Sequence, residues 1–123
     1  MTIRTTNRVI HKDAGSLSKI TVYALIDGAR KAINLSLVTR MVLNLYHDEG
    51  NVIIDTDVVA QSDFIQWDAK GQVVFKLGQE SGLVTGRDYK ASLIAFDDNH
   101  LDGQHISSPC SNERLEFHVC KYA

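Results

Sequence analysis

The stretch Leu83-Val84-Thr85-Gly86-Arg87-Asp88-Tyr89 constrains the fold of this chain most strongly. Its glycine marks a loop, and from Tyr89 to Ala95 every second residue can share one apolar face, as in a strand. In β-sandwiches, a Tyr at the corner between two sheets can return its hydroxyl to upstream backbone, an arrangement called a tyrosine corner. The spacing of Leu83, Gly86 and Tyr89 therefore predicts a sheet-to-sheet corner with the Tyr89 side chain inside.

Alternating apolar residues and Gly- or Asp-rich turns divide the rest of the chain into short strands. No segment has the pattern of an amphipathic helix of three turns, and no repeat or linker is visible. The sequence therefore predicts one all-β sandwich domain, residues 1–123, with about seven to nine antiparallel strands. Residues 2–10 are predicted as one edge strand, 29–39 as a strand or a helical turn, and 97–112 as a long polar loop. The remaining predicted strands are 19–26, 40–47, 52–55, 73–77, 89–96 and 115–119.

Composition excludes several kinds of partner. The net charge of −2 and the pI of about 6.2 leave no basic surplus for binding a phosphate backbone, so no nucleic-acid partner is expected. No apolar run approaches the roughly 20 residues that span a membrane, and the first residues do not resemble a secretion signal. These features predict a cytoplasmic protein without a membrane partner. In that compartment Cys110 and Cys120 are expected as free thiols, although their positions also permit a disulfide.

No set of residues amounts to an active site, so no catalytic, cofactor-binding or metal-binding residues are predicted. The histidines lack a paired ligand spacing, and the sequence contains neither a nucleophile elbow nor a phosphate-binding glycine loop. Trp67 is read as a core anchor. Exposed together with tyrosines, it would instead form a platform for stacking sugars.

The segment Asp97-Asp98-Asn99-His100-Leu101-Asp102-Gly103 is the only concentration of polar groups to consider as a site. It does not fit a calcium loop, because Leu101 offers no oxygen at the fifth position and Gly103 comes one place late. An acidic turn accounts for it better. We expect Asp97, Asp98, His100 and Asp102 to form an interaction loop, while a hydrolase built on its three aspartates is the least favoured reading.

Residues 65–106, IQWDAKGQVVFKLGQESGLVTGRDYKASLIAFDDNHLDGQHI, resemble the C-terminal half of small immunoglobulin-like proteins encoded by tailed phages and prophages. Those proteins have a W-D-x-x-G-x-V hairpin that ends in L-G, followed by an L-x-x-G and Y-x-A-x-L segment. Arg87-Asp88 places one more residue before the tyrosine than the shorter version of that pattern. The matching positions are Trp67, Asp68, Gly71, Val73, Leu77, Gly78, Leu83, Gly86, Tyr89, Ala91, Leu93, Asp97, His100 and Gly103.

The resemblance implies an immunoglobulin-like β-sandwich without enzymatic activity or cofactor. It implies a structural or adaptor protein of a phage particle, present in the host cytoplasm during assembly and in the virion, that contacts other virion or assembly proteins or copies of itself. Sheet edges and long loops would provide the contacts. The alternative is a module that binds carbohydrate or a cell surface through Trp67 and the 97–102 loop. The core is expected to contain Trp67, Phe75, Tyr89, Leu93 and Phe117.

Overall fold

A computed structural model describes residues 2–5, 9–12, 17–78, 80, 82–107 and 115–121. These residues form two β-sheets and one short 3₁₀ helix, so the predicted all-β class and the two-sheet arrangement are confirmed. The strands are β1 (Thr2–Thr5), β2 (Val9–Lys12), β3 (Ser18–Ile26), β4 (Ala29–Ala32), β5 (Arg40–Tyr46), β6 (Val52–Asp55), β7 (Ile65–Trp67), β8 (Gln72–Phe75), β9 (Asp88–Asp97), β10 (His100–Ser107) and β11 (Leu115–Lys121), and the 3₁₀ helix covers Val59–Gln61.

The first sheet has the strand order β1-β3-β8-β7, with β4 also paired to β3. The second sheet has the order β2-β11-β9-β5-β6, with β10 also paired to β9. Neighbouring strands are antiparallel except β2 and β11, which are parallel. The chain therefore enters both sheets at its start, one strand in each.

The core lies between the two sheets and is formed by the apolar faces that the alternation predicts. Met41, Leu43 and Leu45 on β5 are fully buried, while the residues between them point outward. Phe75 of the first sheet and Phe117 of the second meet edge to face, with ring centroids 5.5 Å apart. Of the expected core residues, only Trp67 is half-buried rather than buried.

Glycine is required at position 71, where β8 and β4 pair with consecutive parts of the same edge of β3. Gly71 accepts a hydrogen bond from the Val22 amide at 2.8 Å, and the Val22 carbonyl accepts one from the Ile33 amide at 3.0 Å. A Cβ at Gly71 would lie 2.8 Å from the Val22 oxygen and 2.9 Å from the Ile33 oxygen, and its φ is +79°. Only glycine fits this junction without displacing backbone.

Two strand predictions were wrong, and a third was right in part. Residues 2–10 form two strands in different sheets rather than one edge strand, and 29–39 is a four-residue strand followed by an irregular segment. Within the predicted polar loop 97–112, residues 100–107 form β10, which pairs with β9. For these reasons the described residues contain eleven strands instead of about seven to nine. Residues 108–112 and the predicted turn 13–16 lie outside the described residues.

The Gly- and Asp-containing segments 27–28, 48–51 and 68–71 are turns, as their composition predicts, and each joins two strands that pair with one another. Asp27 and Gly28 both have positive φ, 52° and 79°, as a two-residue turn between right-twisted strands requires. Nowhere in the described ranges is there a helix with the length and apolar character needed to cross a membrane. Cys120 is a free, partly buried thiol, and Cys110 lies outside the described residues.

Candidate functional site

Several connections pass from one sheet to the other, and two of them concern the residues predicted from the sequence. We call residues 33–39, between β4 and β5, the first crossing, and residues 76–87, between β8 and β9, the second crossing. Leu83 and Gly86 lie in the second crossing and Tyr89 follows it closely, whereas Trp67 bonds to the first crossing and Asp97 lines a cavity beside it.

The second crossing is closed by Tyr89. This side chain is 1% exposed, and its hydroxyl oxygen accepts a hydrogen bond from the Val84 amide at 3.2 Å. Leu83 is buried beside it, and the Gly86 amide donates to the Val119 carbonyl at 2.7 Å with the glycine at φ +86°. The tyrosine corner read from the sequence is thus present, and Leu83 and Gly86 both contribute to its closure.

The first crossing is held by backbone contacts to both sheets and by one side chain. The Leu35 amide donates to the Asp68 carbonyl of the first sheet at 3.3 Å, and the Thr39 amide donates to the Phe96 carbonyl of the second at 2.9 Å. The indole N–H of Trp67 donates to the Val38 carbonyl at 3.1 Å. Trp67 therefore anchors this crossing through the polar edge of its ring.

The predicted interaction residues lie on the tight hairpin between β9 and β10. Asp97 Oδ1 accepts a hydrogen bond from the Asn99 amide and lies 2.9 Å from Nδ1 of His100. The His100 contact, followed by the backbone hydrogen bonds, holds the pKa of Asp97 below its usual range. Asp98 and Asp102 are exposed. The four residues therefore belong to a hydrogen-bonded hairpin instead of a long loop.

Trp67 bonds to Val38, and Asp97 lines a cavity together with Val38, so the structure brings the two candidate regions near one segment. Between this crossing and the β9–β10 hairpin is a cavity of about 140 Å³. Trp67 does not line it. The lining residues are Ile33, Asn34, Leu35, Val38, Ala95, Asp97, Gln104 and Ile106.

Three connections meet at the end of the sandwich where β5 begins. Arg40 of β5 pairs with Phe96 near the end of β9, and the neighbouring Val42 pairs with Asp55 at the end of β6. This register places the first crossing, the β6–β7 connection and the β9–β10 hairpin at the same end, which we call the loop end.

The loop end carries the three most exposed large apolar side chains of the described residues. Val59 is 90% exposed, Leu101 80% and Leu37 76%, with one residue on each of the three connections. Sequence reasoning missed all three as a group. Apolar residues are visible in the sequence of all three connections, but which of them are exposed depends on packing, and their common end depends on strand register.

The free edge of β6 is covered by the side chain of Gln61. Its amide nitrogen donates to the Ile53 carbonyl at 3.3 Å, and its amide oxygen accepts from the Asp55 amide at 3.1 Å. These are the backbone groups that an added strand would use. Our expectation that sheet edges are open to partners is therefore wrong for this edge.

Arg40 and Asp55 connect the start of β5 to the end of β6. Arg40 Nε donates to one carboxylate oxygen of Asp55 at 2.9 Å, its Nη2 donates to the other, and the guanidinium lies 4.6 Å from the centroid of the Phe96 ring. This two-point contact holds the pKa of Asp55 below its ordinary value of 3.8. The pair stiffens the loop end rather than offering free charge.

No protein-family model, curated protein or solved structure matches this chain. Within the part of the chain that the structure describes, no three His, Cys, Asp or Glu side chains are grouped so that they could hold a metal ion.

Proposed function

We propose that this chain is an immunoglobulin-like domain that acts as a non-enzymatic structural or adaptor protein of a phage or prophage particle. The single observation that carries a contact function is the loop end, where Leu37, Val59 and Leu101 are exposed on three adjacent connections. Isolated exposed apolar residues are common on protein surfaces, but their concentration on neighbouring loops is typical of an interaction site. Loops at one end of a sandwich also carry the binding residues of immunoglobulin variable domains.

The strand order supports the immunoglobulin-like part of this proposal. The order β1-β3-β8-β7 matches the A-B-E-D sheet of immunoglobulin domains, and β11-β9-β5 matches their G-F-C sheet, with β6 added beside β5 as in variable domains. Tyr89 occupies the place of the tyrosine corner at the start of the F strand.

Two immunoglobulin hallmarks are replaced by other residues. Antibody domains have a cysteine two residues after the corner tyrosine, and Ala91 stands there in this chain. They also have a core tryptophan on strand C, whereas Trp67 lies on β7 of the other sheet. This sandwich is therefore held by apolar packing and the tyrosine corner without the B–F disulfide.

The assignment to a phage particle comes from the resemblance of residues 65–106 to small immunoglobulin-like phage proteins. It is tested by measuring whether purified phage particles contain this protein. We expect mass spectrometry of phage particles, purified from cells that carry the gene, to detect the protein at a constant ratio to the major structural proteins. A protein that is abundant in the lysate but absent from particles and assembly intermediates would contradict the proposal.

The contact surface is tested by comparing two sets of variants in the same particles. Replacing Leu37, Val59 and Leu101 together by Ser should remove the protein from particles while its unfolding midpoint changes little, because all three side chains are exposed. The control replaces Tyr46 and Val84, which are exposed away from the loop end, by Ser. If both variants enter the particles equally well, the loop end is not the contact surface.

The carbohydrate-binding alternative requires an exposed aromatic ring at Trp67. That ring is half-buried, and its N–H is already bonded to Val38. Fluorescence distinguishes the two functions: a module that binds sugars through Trp67 would show iodide quenching that added glycans suppress. We expect glycans to leave the emission unchanged.

A further inference from the structure

The cavity at the loop end is too small for an ordinary small-molecule ligand. Its volume of about 140 Å³ is roughly half the lower limit of about 300 Å³ for small-molecule pockets, yet it exceeds the roughly 30 Å³ that one water occupies. A space of this size accommodates one long side chain. It opens between the first crossing, which carries Leu37, and the β9–β10 hairpin, which carries Leu101.

The cavity wall combines apolar side chains with one carboxylate. Five of the eight lining residues are apolar, and none is Lys or Arg. The contacts to the Asp97 carboxylate come from its own hairpin: Oδ1 accepts from the Asn99 amide and lies 2.9 Å from Nδ1 of His100, and the His100 backbone also bonds to the carboxylate. The Asp97 side chain is 23% exposed, and its lowered pKa keeps it ionised at neutral pH.

An ionised carboxylate above an apolar wall complements a long side chain that has an aliphatic stem and a cationic end. A purely apolar side chain would fill the same space without pairing with Asp97, and an acidic one would be repelled. Asp98 and Asp102 on the same hairpin add negative charge, which favours the approach of a basic segment.

We propose that this cavity receives a Lys or Arg side chain of the protein partner, with apolar residues beside it contacting Leu37 and Leu101. This inference rests on the proposed contact function and specifies its chemistry. The partner segment is then a basic residue flanked by apolar residues, presented on a protruding loop or chain end.

Single-residue probes test the cavity without knowledge of the partner. In an amide NMR titration of the full chain, we expect Nα-acetyl-lysine methylamide to shift the amides of Ala95, Gln104 and Ile106 saturably at millimolar concentration. Nα-acetyl-norleucine methylamide has a comparable stem without the charge, and it should bind about tenfold more weakly, the factor that about 1.4 kcal/mol produces. Equal affinities, no shifts, or shifts confined to other residues would overturn the proposal.

A matched pair of variants separates the cavity from general acidity of the hairpin. Asp97→Asn keeps an oxygen for the Asn99 amide but removes the charge, so lysine binding should fall about tenfold to the norleucine level. Asp98→Asn removes a neighbouring exposed charge outside the cavity lining and should weaken binding much less than Asp97→Asn does. Equal loss in both variants would contradict the cavity assignment, and unfolding curves verify that both remain folded.

The two proposals can fail separately. If particles contain the protein but the lysine probe does not bind, the cavity inference is wrong and the contact function stands. If the probe binds as expected but particles lack the protein, the phage-particle function is wrong and the cavity still identifies a basic partner.

Discussion

The two crossings between the sheets use the same device with opposite hydrogen-bonding roles. In the second crossing, the Tyr89 hydroxyl accepts from the Val84 amide, whereas in the first, the Trp67 indole donates to the Val38 carbonyl. Each aromatic ring contacts the core and satisfies one backbone group of an irregular segment, which would otherwise lose a hydrogen bond on burial.

The crossings differ in what they do with their apolar side chains. The second crossing buries Leu77 and Leu83 and exposes 43% of Val84, while the first buries Leu35, exposes 76% of Leu37 and borders a cavity. A crossing that served packing alone would gain by closing this space. The difference is what we expect if the second crossing mainly stabilises the fold and the first also serves the proposed contacts.

The largest expected contrast comes from truncating one leucine in each crossing. Leu83→Ala should lower the free energy of unfolding by about 3 kcal/mol, because a fully buried side chain leaves a cavity. Leu37→Ala should change it by less than about 0.5 kcal/mol, since the side chain is exposed. Urea unfolding of both variants measures the difference, and similar losses would show that the two crossings are equally structural.

The close packing at Gly71, beside the start of the first crossing, is tested by substituting two glycines that have the same backbone angle. Gly71 and Gly28 both have φ +79°, but only at Gly71 would a Cβ meet backbone oxygens, at 2.8 and 2.9 Å. Gly28→Ala should cost about 1 kcal/mol from the backbone angle alone. Gly71→Ala should cost about 2 kcal/mol more from overpacking. If thermal and urea unfolding give equal losses, the close packing of the junction is not what requires glycine.

The tyrosine corner itself is tested by removing one oxygen. Tyr89→Phe keeps the buried ring but leaves the Val84 amide without its acceptor, so we expect a loss of about 1 kcal/mol. Tyr46→Phe is the control, because that side chain is 37% exposed and lies outside both crossings. An unchanged urea midpoint for Tyr89→Phe would mean that water replaces the hydroxyl and that the ring alone closes the corner.

The smallest effect is a pH dependence at the start of β5, directly after the first crossing. The Arg40 contact lowers the pKa of Asp55 in the folded state below its unfolded value. Its contribution to stability is therefore complete above the unfolded pKa and disappears as the pH falls through the folded pKa. We expect Asp55→Asn to lower the urea midpoint at pH 7, and we expect this difference from wild type to shrink as the pH falls below the unfolded pKa of the carboxyl and through its lower folded pKa.

A control for this pH dependence is Glu49→Gln, which removes the ion pair to Arg87 in the second crossing. The Glu49 side chain is 71% exposed and makes one contact, so its removal should matter less than that of Asp55, which is 19% exposed. A difference between wild type and Asp55→Asn that persists in acid would contradict the ionic origin of the effect.

Local patterns were sufficient where one face of a strand is buried and the other is exposed. Met41, Leu43 and Leu45 identify β5 because burial of one face imposes a two-residue period. The same reasoning failed for β10. There, Gly103 packs so closely beneath Ile94 and Phe96 that a Cβ would come within 2.5 Å of the Ile94 side chain, while Leu101 is exposed. Because β10 packs a glycine against the neighbouring strand and exposes a leucine, its sequence lacks the alternation of buried apolar and exposed polar residues that predicts a strand.

The amino-acid sequence by itself determined the all-β class, most of the hairpins and the inward position of Tyr89. These depend on short-range periodicity and on residues such as Gly28 that suit particular backbone angles. Only the tertiary structure decided that the first strand divides between two sheets, that Gln61 covers an edge, and that Leu37, Val59 and Leu101 share one end with a cavity. The physical reason is that pairing partners and register connect residues far apart in the chain, and the local alternation of a strand does not specify its neighbour.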